Sequence, residues 1–546
     1  MTTPRRPIWT GCAVALAATL LVVGGAVLTG PWDGVFLHRD FVTVPDPVWN
    51  DAVWGRGAGA PRSVPFDAVV AALSTVLPSG LVARGLMVAP LLLAGCGAAV
   101  LVRRHGAVAS STAAALAVLN PYVAERLLLG QAPTLLGYAV IPWVVLAARA
   151  GGPLRRRLML VLAAAVPAAL TPVGSLMAGG TALLAARGWR ERLLLPLPVL
   201  ALSTPWILAG LRDPGAGAVG AGADAFAVRS DGIGGTVGAV LTLGGVWAPG
   251  AWLESRSGTW VVLVEVLLVL AALLTWWFGR GRHRGIALAG TAYLVGVGTV
   301  LALAGPLLPL WRMLQSVPGV ALLRDTHRLL AWPALAVAVL VAAGVSRLVR
   351  NTSPKRSVAA GAAVLTVATA VLTVPDLPGR MAREAAPVAL PAEWDTVVDL
   401  VNQDAEPGER SLLLPWQPFR TTAWAGPTTF LDPLPRALET ETLHARNLQV
   451  RRDGQTFHVG GEDPPYASQL AQEQIDTAVL RGLGVRWVLA WRGSPGVIPE
   501  LTVPGPDETL LALDPVHLGP DWVVWDLDDL LDSASGQPRP GAGASR

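Results

Sequence analysis

Charge is scarce in this chain. Only 15% of its 546 residues are Asp, Glu, Lys or Arg, where a soluble globular protein carries about 25%. That shortfall excludes a large soluble enzyme. A hydrophobic share of 52% excludes a disordered chain as well, since disorder needs low hydrophobicity and high charge. Cysteine is nearly missing: Cys12 and Cys96 both sit in apolar runs and supply neither a disulfide framework nor a Cys-based metal site. With a mean hydropathy of +0.50, what remains is an integral membrane protein, with the lipid bilayer as its first partner.

The charge that is present is unevenly placed. Residues 1–375 hold 29 Lys/Arg and 13 Asp/Glu, a net +16, and residues 376–546 hold 13 and 25, a net −12. The overall pI of 9.5 therefore describes neither half. The arginines lie in short clusters between apolar stretches, not on one basic face, so nucleic acid is not an expected partner.

A bilayer span needs about 20 mostly apolar residues. Eleven stretches read as spans: 8–29, 80–102, 107–122, 132–149, 158–171, 173–187, 193–211, 259–279, 286–305, 328–346 and 357–375. A twelfth, 236–248, is short and glycine-rich and reads as a surface or re-entrant element. By the positive-inside rule, Arg5/Arg6, Arg103/Arg104, Arg149 with Arg155 to Arg157, Arg187 to Arg192, Arg280 to Arg284 and Arg347 to Arg356 are cytoplasmic. The chain is then a multi-pass plasma-membrane protein with its N-terminus inside. Span 1 is an anchor, not a cleaved signal peptide. Eleven of the 13 acids in the first half fall on the outer side, leaving Glu191 inside and Glu265 within a span. The expected division is a transmembrane domain over 1–375, an extracytoplasmic α/β domain over 376–535 and a disordered tail over 536–546.

The first outer loop is long and carries Asp33, Asp40, Asp46 and Asp51 beside Trp32, Trp49 and Trp54. Asp40 directly follows His38 and Arg39, and a neighbouring cation keeps a carboxylate ionised, as a general base requires. Asp46 is held between Pro45 and Pro47. Downstream, Phe66, Val69, Val70, Leu73, Val76 and Leu77 form a helical apolar stripe too short to span, which suits a helix lying on the outer leaflet.

Glu125-Arg126 and Gln131 lie in the second outer loop, where a local ion pair and a substrate contact are both open. Arg324, His327 and Arg328 precede a late span. The 324/328 spacing puts both guanidiniums on one face if the segment is helical, and Asp325 neutralises one of them. Glu265 within its span needs a cavity or an arginine partner. The loop 212–235, with Asp224 and Asp231, is Gly/Ala-rich and reads as flexible. In the last third, Trp394, Val397, Val398 and Val401 share a helix face. SLLLPW, VRWVLAW and WVVWDLD read as strands, 467–484 as a helix, His444 and His458 as structural, and Asp526, Asp528 and Asp529 as solvated.

This layout resembles the GT-C superfamily of integral membrane glycosyltransferases, and NPYVAERLLLGQAPTLLGYAVIPW (Asn120 to Trp143) is similar to a stretch of actinobacterial cell-envelope members, arabinofuranosyltransferase-like proteins among them. The resemblance implies an all-α polytopic core with an extracytoplasmic domain. It implies a polyprenyl-phosphate-linked sugar donor and an envelope glycan or glycolipid acceptor. It also implies a catalytic first-loop aspartate: Asp40, with Asp46 second. Candidate substrate contacts are His38, Arg39, Glu125, Arg126, Gln131, Arg324, His327 and Arg328. The first loop has no Asp-X-Asp or Asp-Glu pair, the pattern of the family's metal-dependent subgroup. No cofactor is expected, and no ligand cluster supports a divalent metal. Two other readings stay open: a non-catalytic envelope-assembly scaffold, and a lipid or glycan transporter.

Overall fold

Helices carry most of the structure, a computed structural model that describes residues 5–56, 63–212, 221–317, 319–352, 356–445, 448–460, 477–492 and 514–528. Among the described residues six helices are long and apolar enough to cross a membrane: Arg6–Leu28, Ser79–His105, Ala107–Leu128, Thr259–Gly279, Arg284–Ala304 and Thr326–Asn351. The other expected spans are helical too, but short or broken. Proline accounts for one of the breaks. Pro167 and Pro172 interrupt the chain between Leu154 and Ala185. Trp189–Leu202 and Thr204–Arg212 meet at a 68° bend and form a seventh crossing only if taken together. The stretch 236–248 is a helix over Gly235–Leu241 followed by a loop.

Helix Ala107–Val118 is the hub. It is apolar and small on every side and buried from Ala109 to Val118, as expected of a helix surrounded by others. Small residues let its neighbours close up: a Cβ on Gly95 would collide with Ala15. The arginine clusters gather at one end of the bundle. Arg149 sits beside Arg187 and Arg284, His105 beside His283 and Arg350, and Arg157 lies 2.8 Å from Glu191.

The opposite end carries the long loops and the C-terminal sheet. Its five strands run in the order His517–Leu518, Trp522–Asp526, Val485–Trp491, Arg410–Leu414, Glu441–Leu443. Pairing is antiparallel at the first two contacts and parallel at the last two. Helix Glu393–Gln403 lays Trp394, Val397 and Val401 on this sheet, with Val398 half-buried. That core is shared. Val35, Leu37, Val42 and Val44 of the first loop are buried in it beside Trp394, Leu413 and Trp522, and Val35 bridges to Val388.

One expectation changes here. Asp526 is not solvated: it is buried and paired with Arg486 at 3.1 Å, because its strand is interior. In the surface helix Phe66–Ser74 only Ala68 and Ala71 are buried. Leu73, Val76 and Leu77 face outward, available to lipid. The helix expected over 467–484 is described only as Thr477–Gly482, and Asp529 and the tail 536–546 lie outside the described residues.

Arg84 pins the first loop to the bundle. It donates to the carbonyls of Val27 (3.0 Å), Pro31 (2.6 Å), Trp32 (2.8 Å) and Gly80 (3.1 Å) and stacks on the Trp32 ring at 4.8 Å. Pro31 O also accepts the Gly34 N–H at 3.1 Å and Gly80 O lies inside helix Ser79–Val102, so Arg84→Leu chiefly strips the Val27 and Trp32 carbonyls of their donor, at a cost of about 1–3 kcal/mol each where they stay dry. The expected result is a lower melting temperature and new protease cleavage near residues 30–36. Unchanged cleavage would show that the loop is held elsewhere.

Candidate functional site

Four stretches far apart in sequence converge at the loop end. Asn120 begins the arrangement. Its side chain accepts the Val123 N–H (3.0 Å) and donates to Leu116 O (2.9 Å), turning the corner from Ala107–Val118 into helix Pro121–Leu128. That short helix buries Tyr122, Glu125 and Arg126 completely. It ends at Gly130, whose φ of +72° and bare Cα let the 38–41 turn rest against it. The turn is a two-residue hairpin between Leu37–His38 and Phe41–Val42, with Arg39 at φ +51° and Asp40 at its tip.

Asp40 is exposed, and Gln131 Nε2 donates to its Oδ2 at 3.0 Å. Gln131 Oε1 in turn accepts from Arg126 Nη1 at 2.8 Å. Arg126 also holds Asp325 through both oxygens, at 2.5 and 2.9 Å, and donates to His327 Nδ1 at 2.6 Å. An arginine only donates, so Nδ1 is the acceptor and the His327 proton sits on Nε2, 3.1 Å from Glu125 Oε2. The His327 ring stacks on Tyr122. Burial works against the Asp325 carboxylate, but Arg126 and Arg328 hold it down to about 2. Arg328 Nε lies 3.3 Å from Asp325, and 22% of its side chain is exposed. Its terminal amino groups have no bonding partner among the described residues. Its charge is felt at Asp40.

A second cluster adjoins the first. Glu125 accepts the N–H groups of Gly245 (3.2 Å) and Val246 (2.9 Å), and Asp231 shares the Gly245 N–H at 2.8 Å. The two carboxyls lie within hydrogen-bond reach of each other, which demands a proton between them. Burial, then Glu125, push Asp231 up to about 7. Arg256 Nε lies 2.8 Å from Asp231, and the same guanidinium reaches Glu265 at 2.5 Å and donates to Thr242 at 2.8 Å. Burial opposes the Arg256 charge, yet Glu265 and Asp231 raise its proton affinity above the ordinary arginine value.

Several sequence expectations are corrected by this geometry. Glu125 and Arg126 form no local ion pair, because adjacent helical residues point apart, and each bonds a different loop. Both are fully buried, so neither presents a surface to substrate. Arg324 and Arg328 do not share a helix face. Arg324 ends the turn Val320–Leu323 and stacks on Phe226 at 4.7 Å, while Arg328 belongs to the separate turn Thr326–Leu330. Asp325 neutralises two arginines, not one. His38 is no cation: burial, then Arg39, lower it to about 4. Of the two readings left open for Glu265, the arginine partner holds: it is Arg256, just before its own helix. The described part of the 212–235 loop is anchored, with Asp224 held by Arg312 at 2.6 and 2.8 Å and Asp231 buried. Arg39 donates to Gly250 O at 2.9 Å. Asp46 is exposed, and no described residue bonds to it. Tyr122, Asp231 and Arg256 were missed. Their partners lie up to 205 positions away, as the Tyr122–His327 stack shows, and no local spacing marks them. Among the described residues no group of three His, Cys, Asp or Glu is arranged to hold a metal.

No protein-family model matches the chain, and no curated protein does. Solved structures do. Arabinofuranosyltransferase AftD from Mycobacteria aligns at a TM-score of 0.55 and 17% identity over 96% of this chain and 40% of that one. A point mutant of the same enzyme gives 0.53 and 17%, over 96% and 42%. An oligosaccharyltransferase from Archaeoglobus fulgidus gives 0.36 and 12%, over 88% and 68%, too distant to bear on this chain. The chain spans about 40% of the length of AftD. At this identity the likeness is one of fold alone: over 96% of its length the chain is folded like part of AftD.

The raised Asp231 makes a stability prediction with a definite sign. Folded Asp231 keeps its proton up to about pH 7, while an unfolded aspartate loses it near 3.8. Between those values the folded state binds more protons, so stability falls as pH rises. Thermal melting should therefore decline from about pH 4 to about pH 7. The Asp231→Asn protein, which cannot ionise there, should show a flatter profile. An equally steep decline in the variant would remove Asp231 as its source.

Proposed function

We propose that this chain is a membrane glycosyltransferase that moves a sugar from a polyprenyl-phosphate donor to an envelope glycan or glycolipid hydroxyl on the outer face of the membrane. One observation carries the reading. At the loop end an exposed carboxylate, Asp40, lies within electrostatic reach of Arg328, whose amino groups have no bonding partner among the described residues. Asp40 takes the acceptor proton as the acceptor oxygen bonds to the anomeric carbon. The bond from that carbon to the phosphate oxygen breaks, and the polyprenyl phosphate leaves with its negative charge toward Arg328. The GT-C fold supports the reaction class, and the AftD likeness makes an arabinofuranosyl donor the first to try.

Asp40→Asn should lower transfer by about 10²–10⁴-fold while donor binding persists. Arg328→Ala removes a charge-assisted contact of roughly 1.5–3 kcal/mol and should weaken donor binding by about 10–100-fold. Both are read in nanodiscs with a polyprenyl-phosphate arabinofuranose, binding and transfer being measured separately. A folded Asp40→Asn protein that transfers at the wild-type rate would remove Asp40 from the mechanism and make Asp46 the next base to test; a folded wild-type chain that binds the donor and transfers nothing would favour the non-catalytic scaffold reading.

Orientation is part of the proposal: the arginine end is cytoplasmic, and the loop end, with the C-terminal region, is outside. In a Cys12→Ala, Cys96→Ala background, Ser230→Cys should react with an impermeant thiol reagent in intact cells and Gly281→Cys should not. The reverse pattern would invert the topology and with it the side on which transfer occurs.

A further inference from the structure

We infer that Gln131, oriented by Arg126, is a positioning residue that holds Asp40 in its proton-accepting form, and not a substrate contact. This rests on the reading of Asp40 as the base.

A glutamine side chain has one accepting end and one donating end. Arg126 has only donors, and it faces Gln131 Oε1 at 2.8 Å. Arg126 itself cannot turn away, because Asp325 grips it through both oxygens inside the protein. The accepting end of Gln131 is therefore committed to Arg126, and the amide N–H₂ must face Asp40. At 3.0 Å it needs an acceptor on Oδ2. A carboxylate supplies one, whereas a proton on that oxygen would collide with the amide hydrogen. Flipping the amide would set Oε1 against Asp40 and N–H₂ against a guanidinium, losing both bonds. Gly130 makes the arrangement possible, since any side chain there would push the 38–41 turn off Gln131.

The other charged groups around Asp40 act with Gln131. Arg39 adjoins it in the turn and is itself faced by Glu384 and Arg380 from helix Leu377–Glu384. Arg328 faces it from the 326–330 turn, with Asp325 behind. His38 is buried and neutral. Gln131 differs from these in reaching Asp40 with a directed hydrogen bond whose polarity is set from behind. It is also 8% exposed, which leaves little of it for a sugar.

The test reads Asp40 directly. The protonated-carboxyl infrared band of the purified full chain is titrated in wild type, Gln131→Glu and Gln131→Met, and the spectrum of the same protein carrying Asp40→Asn is subtracted each time. Gln131→Glu still accepts from Arg126 but sets a second carboxylate against Asp40, so the Asp40 midpoint should move up by about one pH unit or more. Gln131→Met removes the donor without adding charge and should move it up by less. Melting temperatures identify a variant that fails to fold, and the two substitutions fail independently. Midpoints unchanged from wild type in both folded variants would overturn the positioning role. Sugar transfer by the Asp40→Asn protein is scored separately: wild-type transfer there removes the base but leaves the titration result, and the role of Gln131 in setting it, intact.

Discussion

A single buried guanidinium holds the loop end together. Arg126 has no exposed surface, and a charge so placed is tolerable only when fully paired. Its partners come from two places: Asp325 and His327 from the approach to a late helix, and Gln131 from the turn after its own helix. Through Gln131 it reaches the first loop as well. Removing one member of such a pair typically costs about 3–5 kcal/mol. The segments around residues 40, 126 and 325 therefore cannot drift apart independently. Their mutual placement is a property of one ion cluster more than of the helices that carry it.

The second arginine extends this constraint toward the membrane. Arg256 serves Asp231 and Glu265, and Asp231 touches Glu125, which touches His327. Two carboxyls thus share one guanidinium, a third adjoins them, and the excess negative charge is relieved by a retained proton. The neutral His327 joins the two clusters without adding charge. The result is a continuous polar chain from the exposed Asp40 to the buried Glu265 in helix Thr259–Gly279. Polar groups at that depth are costly unless satisfied, so the loop between Asp231 and Arg256 is ordered where its glycine content suggests slackness.

The helices were legible because apolar run length and proline are local signals. Every expected span falls mostly on helix, and the break between Leu154 and Ala185 traces to prolines visible in the sequence. The strands around Leu412, Val488 and Val524 were legible for the same reason. The site was legible as residue types: Asp40, Gln131, Arg126 and Arg328 do meet. Their roles were not. Whether Arg126 faces substrate or the protein interior depends on Asp325, 199 positions away, and Asp231 in a Gly/Ala-rich loop carries no periodic mark of burial. His38 next to Asp40 suggested a cation, but its burial under the C-terminal sheet region has no local signature.

That burial bears on what the C-terminal region is for. Arg39 donates its N–H to Thr429 O at 3.0 Å and accepts the Leu431 N–H at 2.8 Å, so the backbone of the Asp40 turn is closed by strand Phe430–Leu431. Val35, Leu37, Val42 and Val44 on either side of the turn are buried with Trp394 and Trp522. A left-handed Arg39 is an unfavourable conformation for a residue with a side chain, and these contacts from the C-terminal region hold it there. The region is thus half of the framework that aims Asp40, and a bundle without it would keep the residues of the site but lose the hairpin that presents its carboxylate.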